Sequence, residues 1–219
     1  MTEAVPVIAI DGPSASGKGT VAQRVAEKLG YHYLDSGALY RIVALAGLHA
    51  GISWQDEAAL ARLAGHLDIR FEGGRILLDG SDVSEAVRSE QMSRGASEVA
   101  IHPGVRSALF ELQRSFRKAP GLVADGRDMG SVVFPEAATK VFLTASAGVR
   151  AERRYKQLIA KGIDANLAEI LQDLQSRDAR DRQRTVAPLQ QCPDATLLDT
   201  DPLTIDQAVQ TVLDLHGSV

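Results

Sequence analysis

The chain has 219 residues, of which 45% are hydrophobic and 24% charged, and a formal net charge of -4. That length suits one sizeable core, and the acidic balance argues against the basic stripe that a nucleic-acid partner requires. A lone Cys192 excludes an intrachain disulfide, no apolar run is long enough to cross a bilayer, and Met1 to Ala4 has no basic leader. A cytoplasmic, membrane-free, single-domain protein is therefore expected.

In chain order, Val7 to Ile10 forms an apolar run that stops at Asp11-Gly12-Pro13, as a buried parallel strand would. Val21, Val25 and Leu29 follow at helical spacing within Thr20 to Leu29, and Gly30 stands at the C-terminal cap position. Tyr31 to Leu34 reads as a second strand and Ala38 to Ala50 as a second helix. Strand alternating with helix over short links predicts a parallel α/β sheet.

Between about residues 66 and 91 the texture changes. Asp68 to Phe71, Arg75 to Leu78 and Ser81 to Val83 read as short strands separated by the turn pairs Gly73-Gly74 and Asp79-Gly80, predicting a small antiparallel insert. The α/β pattern then resumes. Pro103 opens a helix striped by Val105, Leu109, Leu112 and Phe116, and Leu122 to Ala124 and Lys140 to Leu143 read as core strands. Helices are predicted from Val149 to Lys161, broken at Gly162, and from Leu167 to Arg184. Thr196 to Leu198 is the last strand. The last helix opens with Thr204 and Gln207 in capping-box spacing and has Ile205, Ala208, Val209 and Val212 on its apolar face.

Gly12-Pro13-Ser14-Ala15-Ser16-Gly17-Lys18-Gly19-Thr20 joins the first strand to the first helix. Glycines there let backbone N–H groups turn around phosphate oxygens, the helix N-terminus adds partial positive charge, and Lys18 reaches the terminal phosphates. The usual hydroxyl directly after the lysine is replaced by Gly19, with Thr20 one position later; that shift is the form found in nucleoside monophosphate kinases. Residues 150–184 hold nine Lys/Arg against six Asp/Glu, on a chain that is otherwise acidic. A basic segment of that kind suits a small anionic ligand.

Three further clusters fall where a parallel sheet presents its carboxyl edge. They are Asp35-Ser36-Gly37-Ala38-Leu39-Tyr40-Arg41, Asp125-Gly126-Arg127-Asp128-Met129-Gly130, and the run from Arg177 to Arg184. Each also has a plainer reading. Asp35-Ser36 can cap a helix, Asp125 can end a strand, and the charged run can be a solvated ladder in which Asp178 pairs with Arg182. The five histidines show no ligand spacing, so no direct protein metal site is expected, and Trp54 reads as packing.

Together these stretches resemble the bacterial cytidylate kinase family over nearly the whole chain, from the loop to Ala187-Pro188-Leu189. Ala15 departs from the family's usual glycine. The resemblance implies a five-stranded parallel sheet wrapped by helices, with an acceptor-binding insert at 66–91 and a helical lid at 161–184. It implies transfer of the γ-phosphoryl group of ATP to CMP or dCMP, with Mg²⁺ bound alongside ATP and touched through water by Thr20 and Asp125. By the same resemblance Arg41 and Arg127 hold the acceptor phosphate, Ser36 and Tyr40 line the same pocket, and Ser97, Arg106 and Asp128 read its base. Arg177 and Asp181 contact its sugar, and Arg153 and Arg184, with Lys18, serve catalysis. A monomer is expected. Two other readings stand beside this one: a P-loop kinase for UMP or a small metabolite, and a nucleotide-sensing module without turnover. A GTP-switched protein is excluded, because guanine recognition needs an Asn-Lys-x-Asp stretch and the sole asparagine, Asn166, precedes Leu167.

Overall fold

Residues 5–72 and 75–218 are described by the computed structural model; the Gly73-Gly74 turn and the Met1 to Ala4 segment lie outside them. The first half of the chain runs β1 (Val7–Asp11), α1 (Lys18–Leu29), β2 (His32–Asp35), α2 (Ser36–His49), α3 (Glu57–Ala64), β3 (Ile69–Glu72), β4 (Arg75–Leu78) and β5 (Ser81–Asp82). The second half adds α4 (Glu90–Val99), α5 (Pro103–Arg114), β6 (Leu122–Gly126), β7 (Thr139–Thr144), α6 (Ala147–Ala160), α7 (Leu167–Gln183), β8 (Thr196–Asp199) and α8 (Ile205–Gly217). Two compact units result, one built from the chain up to Leu34 and from Phe116 onward, the other from Asp35–Ser115.

The first unit is a five-stranded parallel sheet in the order β2-β6-β1-β7-β8. Central β1 is buried along its whole length, which explains the apolar run Val7 to Ile10. It pairs Ile8 with Val123 of β6 on one side and with Thr139 of β7 on the other. On one face Val21, Ala22 and Val25 of α1 and Ala208, Val209 and Val212 of α8 close over Ile8, Ile10 and Val141 in a single apolar cluster. Gly30 ends α1 in the left-handed conformation, φ 66°, and the Thr204–Gln207 capping box starts α8. After β6 the chain makes a π-type turn at Met129–Val133, which no sequence pattern announced.

In the second unit α2 packs on α4 and α3 on α5, and β3-β4-β5 form an antiparallel meander. Helices α3 and α4 are additions to the sequence reading. Their caps were legible: Asp56 accepts from the Ala59 amide at 3.0 Å and Ser89 from the Met92 amide at 3.3 Å. Trp54 is packing, its Nε1 donating to the Ala44 carbonyl at 2.9 Å. Gly95 lets α4 lie against it, since a β-carbon there would stand 2.7 Å from the Trp54 ring. Helix α5 stops at Arg114, so Phe116 does not extend its stripe as the spacing suggested.

Candidate active site

β1 feeds directly into the glycine-rich loop, and α1 takes over at Lys18. A β-carbon on Gly12 would collide with the Leu143 carbonyl oxygen, so only glycine lets the loop leave the sheet this close to β7. Ala15 occupies the left-handed region at φ 58°, which accounts physically for glycine being the usual residue there. The loop's carbonyls are engaged by its own lysine and by residues from α6 and beyond β8. Lys18 Nζ donates to Pro13 O at 3.1 Å, Arg150 to Ser14 O at 3.1 Å, and Arg153 and the Thr200 hydroxyl to Ser16 O, each at 3.3 Å. Ser16 Oγ is buried without a hydrogen-bond partner among the described residues, the kind of orphan that a ligand oxygen satisfies.

Arg127, just beyond β6, connects this loop to α7. Its Nη2 donates to Ser14 Oγ and its Nε to Asp181 Oδ2, both at 2.7 Å. Burial opposes ionisation of Asp181, but the Arg127 guanidinium and its hydrogen bond outweigh it and hold the carboxyl below its ordinary range. Arg177 is pushed down, first by burial and then by the like charge of Arg127. Asp125 accepts from the Tyr33 hydroxyl at 2.7 Å and lies 3.9 Å from where a β-carbon on Gly19 would stand, beside the start of α1. Asp128 is buried next in line. Asp11, read from sequence only as a strand end, accepts from the amides of Met129 and Gly130, each at 2.8 Å. Burial pushes its pKa up to about 6.

The remaining predicted acceptor residues belong to the second unit. Asp35 caps α2 by accepting from the Ala38 amide at 3.0 Å, as the plainer reading expected, and also accepts from Arg41 Nη2 at 2.6 Å. Ser36 and Tyr40 are buried on the same helix. The Arg106 guanidinium of α5 lies 5.8 Å from the Tyr40 ring centroid. Buried Ser97 Oγ on α4 and Arg41 Nε have no hydrogen-bond partner among the described residues.

The charged run is not a solvated ladder along its whole length. Leu174, Asp178 and Asp181 face inward on α7. Asp178 does not pair with Arg182 but with Arg150 of α6, through bonds of 3.1 and 2.6 Å, with side chains 10% and 4% exposed. Sequence spacing missed Arg150 because its partners lie 28 and 136 positions away. Arg153 is tied to Thr200, at 3.0 Å to its hydroxyl and 2.6 Å to its carbonyl, and Arg184 Nη2 donates to Ala187 O at 2.7 Å. Thr20 is exposed at the start of α1. Among the described residues no cluster of three or more His, Cys, Asp or Glu is placed to hold a metal ion.

The family model described as Cytidylate kinase matches residues 8–217. The chain belongs to the cytidylate kinase family. A cytidylate kinase of Chromobacterium violaceum is 62% identical over 96% of this chain and 95% of its own. One from Cupriavidus necator is 60% identical over 98% and 97%. Among solved structures, an uncharacterized protein from Eubacterium ventriosum covers 98% of this chain and 99% of its own at 12% identity, with a TM-score of 0.52. That last likeness concerns the fold alone. No described helix is long and apolar enough to cross a membrane.

Proposed function

We propose that the protein transfers the γ-phosphoryl group of ATP to CMP, and to dCMP, giving ADP and CDP or dCDP. The observation that supports this reading is the contact of Arg127 with the glycine-rich loop, 2.7 Å from the Ser14 hydroxyl. Two anions must be brought in line for phosphoryl transfer, and a forked guanidinium beside a phosphate cradle supports that task.

Gly12 to Thr20 would bind the ATP phosphates through backbone N–H groups, with Ser16 Oγ and Lys18 adding donors. Arg41 and Arg127, with Ser36 and Tyr40, would hold the acceptor's α-phosphate, and Arg177 and Asp181 its sugar. Ser97, Arg106 and Asp128 would read the base. Cytosine presents an amine donor where uracil has a carbonyl, so the Asp128 carboxylate would accept from one and repel the other; a hydrogen bond of this charged kind is worth about 1.5–3 kcal/mol, or roughly ten- to a hundredfold in rate. The attacking phosphate oxygen is already anionic, so no general base is needed. Arg153 and Arg184, on release from Thr200 and Ala187, would neutralise charge on the transferred group.

The residues suit Mg²⁺ bound with ATP: Thr20 and Asp125 would touch it through water, and when bound it supplies charge neutralisation at the phosphates. Residues 161–184 would act as a lid that keeps water from the transferred group. A cytoplasmic monomer organised as one catalytic domain, with 66–91 as an acceptor insert, completes the reading.

The test is ADP release from Mg-ATP with CMP, dCMP, UMP, AMP and GMP offered separately. Turnover with CMP and dCMP, weak turnover with UMP and none with purines is expected. UMP used as well as CMP would remove the base assignment, and no turnover with any would remove the kinase.

A further inference from the structure

We infer that Asp11 is a positioning residue for substrate selection, its carboxylate clasping the turn that carries Asp128. This rests on the reading above in which Asp128 recognises the base. Asp11 closes β1 and lies in register with Gly126, two residues before Asp128 on the neighbouring strand. One carboxylate oxygen accepts from Met129 N and the other from Gly130 N, both at 2.8 Å and both in the interior. The Asp128 carbonyl in turn accepts from Val132 N at 2.9 Å and Val133 N at 3.2 Å. The backbone around Asp128 is therefore held by four hydrogen bonds. It is packed tightly as well, since a β-carbon on Gly130 would stand 3.2 Å from Lys140 Cδ and 3.5 Å from Ala9 Cβ.

The residue type follows from that geometry. Two adjacent amides point at two separate oxygens, and an ionised aspartate offers two acceptors and no donor. Asparagine has the same shape but would turn an NH₂ group toward one amide, so the turn must shift. A displacement of a fraction of an ångström there moves the Asp128 carboxylate relative to the base. Misplacement of about 1 Å can cost roughly a hundredfold in rate. A cap that served stability alone would weaken turnover of every acceptor alike.

Asp11→Asn, Asp128→Asn and the double variant are to be compared by kcat/KM for CMP and for UMP with Mg-ATP. Asp11→Asn is expected to lower the CMP-to-UMP ratio by about tenfold or more, mainly through KM for CMP. Asp128→Asn should lower the ratio too, and the double variant should fall no further than Asp128→Asn. Equal losses for both acceptors in Asp11→Asn, with Asp128→Asn still shifting the ratio, would overturn the inference and leave the base reading standing. An unchanged ratio in Asp128→Asn would remove the base reading and the inference with it. A wild-type measurement covers the case in which Asp11→Asn does not fold. The Met129 and Gly130 amides should exchange hydrogen only through global unfolding, slowed by CMP to the same extent as other core amides; loop-like exchange at either would overturn the clasp.

Discussion

Replacing Asp178 with alanine leaves the Arg150 guanidinium buried, with Ala145 O and Ser14 O as its remaining partners among the bonds at hand. The deleted carboxylate made two short bonds to a side chain only 4% exposed. Removing one partner of such a pair costs about 3–5 kcal/mol, because the other charge stays desolvated and uncompensated. In a chain of 219 residues each kcal/mol shifts Tm by about 2–4 °C, so Asp178→Ala should melt about 6–20 °C below wild type. The double variant Arg150→Met/Asp178→Leu removes both charges and fills the volume. It loses the two carbonyl contacts, worth about 1 kcal/mol each, but no longer carries the buried charge, and should recover at least half of the loss. Thermal unfolding of wild type, the single and the double variant is the assay. A single variant within 1 °C of wild type, or a double variant less stable than the single, would refute the desolvation reasoning.

Lys18→Met should leave the melting temperature nearly unchanged while turnover with CMP falls by about 10²–10³-fold or more, as expected for loss of a phosphate-directed cation; turnover within fivefold of wild type would contradict its role. Ala15→Gly relieves a left-handed alanine costing about 1–2 kcal/mol but gives the unfolded chain about 0.4–1 kcal/mol of extra freedom, so stability should rise by about 1 kcal/mol or less; a drop in Tm would contradict the strain. Asp11, whose pKa is raised by burial from the ordinary 3.8 to about 6, makes an unfavourable contribution to folding of about 3 kcal/mol that is fully present above pH 6. That contribution shrinks as pH falls from 6 toward 3.8, opposite in sign to Asp181, whose lowered pKa adds stability that disappears only as pH falls below its ordinary value. The Asp11 carboxyl resonance in a carbon-13 titration should have its midpoint near 6, and a midpoint below 4.5 would contradict the burial argument.

What the chain declared by itself were features governed by near neighbours. The apolar run Val7 to Ile10 read as a buried parallel strand, and Gly12 to Thr20 as a phosphate cradle between that strand and a helix. Gly30 and the Thr204–Gln207 pair marked helix ends through bonds spanning four residues or fewer. Asp35 was readable as a cap for the same reason. Helices α3 and α4 escaped because they are short, eight and ten residues, and their stability comes from packing on α5 and α2.

Tertiary structure alone decided how the charges are used. On sequence spacing Asp178 belongs to a ladder with Arg182, but burial makes an unpaired carboxylate so costly that it pairs with the Arg150 guanidinium of α6. Asp11 looked like the end of a strand. Only the parallel register of β1 and β6 brings it beneath the Met129 and Gly130 amides, 118 and 119 positions away, where no local pattern could reveal that it holds a turn.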